Sequence, residues 1–222
     1  MPLSPSPKNP SSGSAGRPRV TLARGASPWL LPTALTAAAC TALTRRSGRW
    51  AVAAAPTVAL TAGMLWFFRD PERAPGDGRV LCPADGVVQS IDERPDGRIR
   101  VAVFMSPLNV HVNRAPLAGT VTSVEHVPGG YVPAFNKDSE RNERVVWHFD
   151  TELGDVEMVQ IAGAVARRIV PYVEPGTKVE RGERVGLIRF GSRVDTYLPA
   201  GVEPGVTVGE RTTAGVTRLD RD

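Results

Sequence analysis

Pro83-Ala-Asp-Gly-Val-Val-Gln-Ser-Ile-Asp92 returns downstream as Pro116-Leu-Ala-Gly-Thr-Val-Thr-Ser-Val-Glu125, matching at the proline, glycine, valine, serine, aliphatic and acidic positions. Each copy reads as a turn that feeds a half-buried strand. A second phrase, Val173-Glu-Pro-Gly-Thr-Lys-Val179, returns as Val202-Glu-Pro-Gly-Val-Thr-Val208. Repeated strand and turn units predict a sandwich built from similar halves. Around them, from Arg69 to the end, short strand-like runs are broken by Gly and Pro, and no stretch of a dozen residues carries a helical period. The fold class is mainly β, with residues 69–222 as one domain.

The run from Val173 to Gly186, with glycines spaced for tight turns, resembles the barrel-sandwich hybrid of biotinyl and lipoyl carrier domains. What precedes residue 69 has a different texture. Residues 1–26 are Ser, Pro, Gly and Arg with hardly an apolar side chain, and predict a disordered tail. Trp29 to Leu43 is uncharged, Arg45, Arg46 and Arg49 interrupt it, and Trp50 to Phe68 is uncharged again. A spanning helix needs about 20 apolar residues and at the lower end about 17, so the second run qualifies and the first is marginal. Trp29, Trp50 and Trp66 stand at the ends of the runs, where indole rings favour the headgroup layer. Residues 27–68 therefore predict a membrane-associated helical hairpin, spanning or lying partly in one leaflet. Arginines flank both runs on both sides and leave its orientation open.

The net charge of +4 comes almost wholly from arginine, since Lys8, Lys137 and Lys178 are the only lysines. The arginines are scattered, which argues against a nucleic-acid stripe and is compatible with acidic lipid. Cys40 and Cys82 have neither the spacing nor the company of a metal site or a disulfide framework. Three positions stand out as chemistry. Gly191-Ser192 puts a hydroxyl beside an unhindered peptide bond, between two strand-like runs, where a glycine marks a bulge or a bend. Asp85 occupies the place where the second repeat copy has Ala118. His111 lies in Ser106-Pro-Leu-Asn-Val-His-Val-Asn-Arg114, a loop following the strand Val101–Phe104, while His126 and His148 sit amid strand-like residues and read as structural.

Phe68-Arg-Asp-Pro, Pro83-Ala-Asp-Gly, Met105-Ser-Pro-Leu-Asn-Val-His111, Asn136-Lys-Asp-Ser-Glu-Arg-Asn-Glu-Arg144 and Arg189-Phe-Gly-Ser-Arg-Val-Asp195, in this order, resemble the short form of the phosphatidylserine decarboxylase family. The resemblance covers residues 65 to 198. It implies that the chain cuts itself between Gly191 and Ser192, that Ser192 becomes a covalent pyruvoyl group needing no metal, and that the two resulting chains stay associated. The activity implied is decarboxylation of phosphatidylserine to phosphatidylethanolamine at the cell membrane. Carried over with it is a triad of Ser192 as nucleophile, His111 as base and Asp85 as its orienting partner. Asn136 and Lys137, in the polar loop up to Arg144, are candidates for binding the lipid phosphate. Two departures from the family pattern are Arg114, where longer members have a second histidine, and Phe190-Gly-Ser-Arg193, where members often have Leu-Gly-Ser-Thr.

Because every residue proposed for chemistry lies between Asp85 and Ser192, the hairpin is expected to hold the enzyme on the membrane without forming any part of the site. Deletion up to Met64 should then leave self-cleavage intact. The competing reading is a membrane-anchored carrier or adaptor of the biotinyl or lipoyl type. It would need a lysine at a hairpin tip, and the nearby lysine, Lys178, lies inside the turn phrase. A pyruvoyl enzyme for a soluble amino acid would leave the apolar hairpin unexplained. The oligomeric state stays open, a homo-oligomer being compatible with everything above.

Overall fold

The computed structural model describes residues 19–133, 137–163 and 168–221, with the backbone alone for Lys137 and Asp138. Along them run β1 (Val20–Leu22), α1 (Ser27–Thr44), α2 (Ala51–Phe67), β2 (Arg69–Pro71), β3 (Gly86–Glu93), β4 (Ile99–Met105), β5 (Val112–Arg114) and β6 (Gly119–Val127). They continue as β7 (Arg144–Thr151), β8 (Gly154–Ala162), β9 (Ile169–Pro171), β10 (Lys178–Val179), β11 (Arg184–Ile188), β12 (Ser192–Leu198) and β13 (Arg211–Thr212). Eight strands form one antiparallel sheet in the order β10-β6-β7-β8-β12-β4-β3-β13, and β5-β11-β9 form a second.

The repeat read from the sequence becomes a matched pair of bulged strands. β3 shifts register between Val88 and Ser90, and β6 shifts between Val121 and Ser123. At both glycines that open these strands a Cβ would collide with a neighbouring carbonyl, of Phe104 beside Gly86 and of Asp150 beside Gly119. The edges match too. Lys178 and Val179 of β10 face Thr120 and Gly119, while Arg211 and Thr212 of β13 face Val87 and Gly86, each pair 33 positions from its counterpart. The same offset relates Gly176, whose N–H donates to the Val121 carbonyl at 2.7 Å, to Gly209, whose N–H donates to that of Val88 at 2.8 Å. The Val-Glu-Pro-Gly phrases are offset by 29 and are not the spatial counterparts. Gly205 of the second phrase donates instead to the Leu219 carbonyl.

Both halves close on one core. β7 alternates cleanly, with Val145, Trp147 and Phe149 buried and the residues between them facing outward. Val179 at one end of the sheet and Val206 near the other join these side chains, Met105, Met158 and Val194 in a single buried cluster, so the sheet must bend around it. Each large side chain so buried contributes about 1.5–3 kcal/mol relative to exposure.

The expected helical hairpin is present as α1 and α2, packed on each other and joined by a short 3₁₀ turn at Gly48–Trp50. Gly48–Phe67 is long and apolar enough to cross a membrane by length and composition. The expected tail boundary at residue 26 is corrected. Val20–Leu22 pairs antiparallel with Arg69–Pro71, and Ala23 and Ala26 are buried beside Leu30, Phe67 and Phe68. Backbone pairing rather than apolar side chains holds this strand, since Val20 and Leu22 stay exposed, and composition therefore did not reveal it. Val110, Val112 and Leu187 complete this second core, which fastens the hairpin to β5 and β11.

Candidate active site

Between β11 and β12 the chain leaves the three-stranded sheet and enters the eight-stranded one in only three residues, Arg189-Phe190-Gly191. That transfer requires two successive left-handed conformations, φ 52° at Phe190 and φ 68° at Gly191. A Cβ on Gly191 would meet nothing within 4 Å, so what glycine supplies here is conformational freedom rather than room. Phe190 has no such freedom. It is the one non-glycine with positive φ among the described residues, at a cost of about 1–3 kcal/mol that its surroundings must offset.

Those surroundings are aromatic. The Phe67 ring, in the last turn of α2, stacks on Phe190 at 4.3 Å and 25° and also lies on the His111 imidazole at 4.3 Å and 37°. Phe68 and Trp29 meet Phe190 edge-on at 6.1 and 6.0 Å. The expectation that the hairpin takes no part in the site is therefore corrected at its last turn. An apolar run without polar residues does not reveal which of its side chains turn inward.

Ser192 is the first residue of β12, paired with Met105 of β4 and Ala162 of β8. It is fully buried, and its Oγ has no hydrogen-bond partner among the described residues. His111 is fully buried as well, and its backbone carbonyl accepts from Ile188 at 3.2 Å, which brings it to the end of β11. Its Nδ1 lies 3.0 Å from the Asn109 carbonyl. A carbonyl can only accept, so Nδ1 carries the proton and Nε2 presents a lone pair. That Nε2 has no partner among the described residues. Burial lowers the His111 pKa to about 4, although the Asn109 carbonyl and the charge of Asp85 pull it upward; Arg69 adds to the lowering. The imidazole is thus neutral at pH 7 and able to take a proton.

Asp85 does not orient that ring by a hydrogen bond. Its carboxylate receives Arg73 Nη1 and Nη2 at 2.6 and 2.9 Å and the Ala214 N–H at 2.8 Å. It reaches His111 through charge, and the Asn109 carbonyl does the orienting. Asn109 is itself placed by its Oδ1, which accepts from the Ser106 N–H and hydroxyl at 2.9 and 2.8 Å. A buried polar relay fixes the strand behind it. Trp147 Nε1 donates to Gln160, Gln160 to Asn113, and Asn113 to the Pro83 carbonyl, two residues before Asp85.

The sequence reading missed Asn109, Arg73 and Phe67. Asn109 lies two residues before His111 in a loop already singled out, whereas Arg73 and Phe67 become neighbours of the site only through folding. His126 and His148 pair with carboxylates, the mostly buried Glu143 at 3.1 Å and the exposed Asp155 at 2.8 Å. Arg114, at the position of the absent second histidine, is buried, with its guanidinium on the Gly182 and Pro71 carbonyls. Asn136 lies outside the described residues, as does the side chain of Lys137.

The family model for phosphatidylserine decarboxylase matches residues 60–219. The phosphatidylserine decarboxylase proenzyme of Streptomyces griseus is 76% identical over 212 residues, covering 96% of this chain and 99% of its own length. That of Thermobifida fusca is 67% identical over 202 residues, covering 90% and 93%. With a family match over most of the chain and relatives this close over nearly all of it, the chain belongs to the phosphatidylserine decarboxylase family.

Proposed function

We propose that this protein cuts itself between Gly191 and Ser192 and then decarboxylates phosphatidylserine to phosphatidylethanolamine at a pyruvoyl group formed from Ser192. The observation that carries the reading is the pair of buried reactive atoms, Ser192 Oγ and His111 Nε2, both without a hydrogen-bond partner among the described residues, beside the strained Phe190-Gly191 turn. Leaving two such atoms unsatisfied costs stability, which is typical of a site kept for chemistry.

In the first step the neutral His111 takes the Ser192 hydroxyl proton, and Oγ attacks the Gly191 carbonyl carbon. The tetrahedral intermediate collapses with loss of the Ser192 nitrogen, which is protonated as it leaves, and an ester replaces the amide. Removal of the Cα proton of residue 192 then expels the Gly191 carboxylate and leaves dehydroalanine. Its imine tautomer takes up water and releases ammonia, so that residue 192 ends as a pyruvoyl group. The pyruvoyl carbonyl supplies an electron sink for loss of carbon dioxide from an amino acid headgroup. The buried hydroxyl position suits such a group, because bulk water is excluded around it. Arg73 holds the Asp85 carboxylate in place, and the carboxylate's charge favours the imidazolium that forms as the serine proton is taken.

The hairpin is read as the membrane contact that delivers the lipid, and the sheet as a barrel-sandwich hybrid. Leu31, Leu35, Val52, Leu60, Leu65 and Trp66 are exposed along the helices. The threonines among them return their hydroxyls to backbone carbonyls, as Thr36 does to Pro32 at 2.8 Å and Thr61 to Thr57 at 2.8 Å. That internal pairing suits a helix surrounded by lipid. A carrier role has no comparable support, because Lys178 lies in a strand paired to β6 rather than at a hairpin tip.

The test is an intact-mass spectrum of the purified protein together with carbon dioxide release from phosphatidylserine. Two chains, the shorter beginning at residue 192 with a pyruvoyl mass, are expected, and Ser192→Ala should remain one inactive chain. A single full-length species with full activity would overturn the reading.

A further inference from the structure

We propose that Phe67 is a positioning residue for self-cleavage: its ring, clamped between Phe190 and the His111 imidazole, holds the strained peptide ahead of the scissile bond and the base in one register. The proposal rests on cleavage at Gly191–Ser192, argued above. Three observations meet in this ring. Phe190 is held with φ 52°, a conformation its side chain disfavours, and Phe67 covers its face at 4.3 Å. The same ring lies against His111 at 4.3 Å, so one side chain touches both the base and the residue before Gly191. Phe67 is itself nearly fully buried and is followed directly by Phe68, Arg69 and Asp70, which anchor the end of α2. Arg69 donates to the Trp66 and Leu108 carbonyls at 2.7 Å each, and Asp70 accepts from Arg184 at 2.6 Å.

A clamp of this kind couples α2 to maturation. If α2 shifts, the stack opens, Phe190 can relax toward an ordinary backbone conformation, and the imidazole loses the wall that keeps water away. The charged groups acting on the imidazole are Asp85, ahead of β3 with its partner Arg73, and Arg69, at the end of α2. None of them is removed by changing Phe67, so a change in the acid limb of the cleavage rate would report exposure of the ring.

The experiment follows cleavage of full-length protein synthesised in a cell-free system with lipid vesicles, quenched over time and scored by intact mass, from pH 8 down to pH 3.5. Wild type and Ser192→Ala bracket the assay. Phe67→Leu keeps apolar volume without a flat ring, and Phe67→Ala removes the clamp. Both should fold, as judged by urea unfolding in the Ser192→Ala background, yet cleave about tenfold or more slowly, Phe67→Ala the slower. The acid limb of Phe67→Ala should move up from near pH 4 toward 6.5 as the imidazole becomes hydrated. Phe190→Gly should restore much of the rate to Phe67→Ala, because glycine adopts the left-handed conformation without being held there. Folded Phe67 variants that cleave at the wild-type rate would overturn the clamp. So would a slow Phe67→Ala whose acid limb stays in place and which Phe190→Gly does not rescue, since that pattern is plain structural damage. If wild type itself is never cut at Gly191, the failure lies with the proposed cleavage and not with the clamp.

Discussion

His111 is buried without a hydrogen bond to any carboxylate, and the consequence at the scale of the residue is a base that stays neutral far below the pH where exposed imidazoles charge. The linkage to folding has a definite sign. An unfolded chain binds the imidazole proton near pH 6.5, and the native chain only near 4, so the native state carries its full stability above 6.5. As pH falls through that window the unfolded chain gains a proton that the native chain refuses, and stability drops by a total on the order of 3 kcal/mol. Urea unfolding of Ser192→Ala from pH 7.5 to 4 should show this loss, and the added change His111→Phe should flatten it. Equal slopes in the two proteins would place the acid sensitivity elsewhere. Ser192, His111 and Asp85 were legible as candidates because hydroxyl, imidazole and carboxylate stand out among their neighbours. Their wiring was not, because the Asp85 to Arg73 pair and the Ala214 N–H depend on segments that meet only in the fold.

At the scale of the element, β12 carries a charge cluster that the departure from the common Leu-Gly-Ser-Thr pattern makes necessary. Arg193, one residue beyond Ser192, is buried, with its guanidinium on Asp195 at 2.6 and 2.5 Å and on the Ser139 hydroxyl at 3.1 Å. Arg100 of β4 stands 3.5 Å from the same carboxylate and also pairs with Asp92 and Glu140. Burial pushes the Asp195 carboxyl above the usual range, and the two guanidiniums oppose that shift. Asp195→Ala would leave Arg193 buried without its bidentate partner. We expect it to lower the unfolding free energy of Ser192→Ala by about 3–5 kcal/mol, whereas Asp96→Ala, which breaks an exposed pair with Arg98, should leave it nearly unchanged. Urea titration of the two variants compares them directly, and similar losses would contradict the assignment. The strand itself was legible as a strand-like run after Gly191 and the helices from their apolar runs. The direction of the last turn of α2 was not, for want of a polar face to orient it.

At the scale of the whole molecule, the 33-residue correspondence makes the large sheet nearly symmetric about the junction of β8 and β12, and the hairpin lies outside that symmetry, fastened to β5 and β11 of the smaller sheet. The repeat was visible where it fell on strands. It was misread in the turns, because Val-Glu-Pro-Gly recurs for reasons of turn chemistry at a different offset. Deleting residues 1–64 should do more than remove the proposed membrane contact. We expect the truncated chain to cut itself at least tenfold more slowly, and carbon dioxide release from bilayer and detergent-dispersed phosphatidylserine to fall together, because few molecules mature. Full cleavage of the truncated chain, seen by intact mass, would show that the β domain matures alone. The position of β12 has a further outcome. It lies between β4 and β8, paired on both edges along nearly its whole length, so the proposed cut would leave the short chain locked inside the sheet. The reactive end proposed at residue 192 would then be made only once, from the chain's own backbone, and no loose replacement could be threaded in. On the proposed chemistry, a molecule whose pyruvoyl group is chemically spoiled is finished, and the cell would recover the activity only by translating a new one.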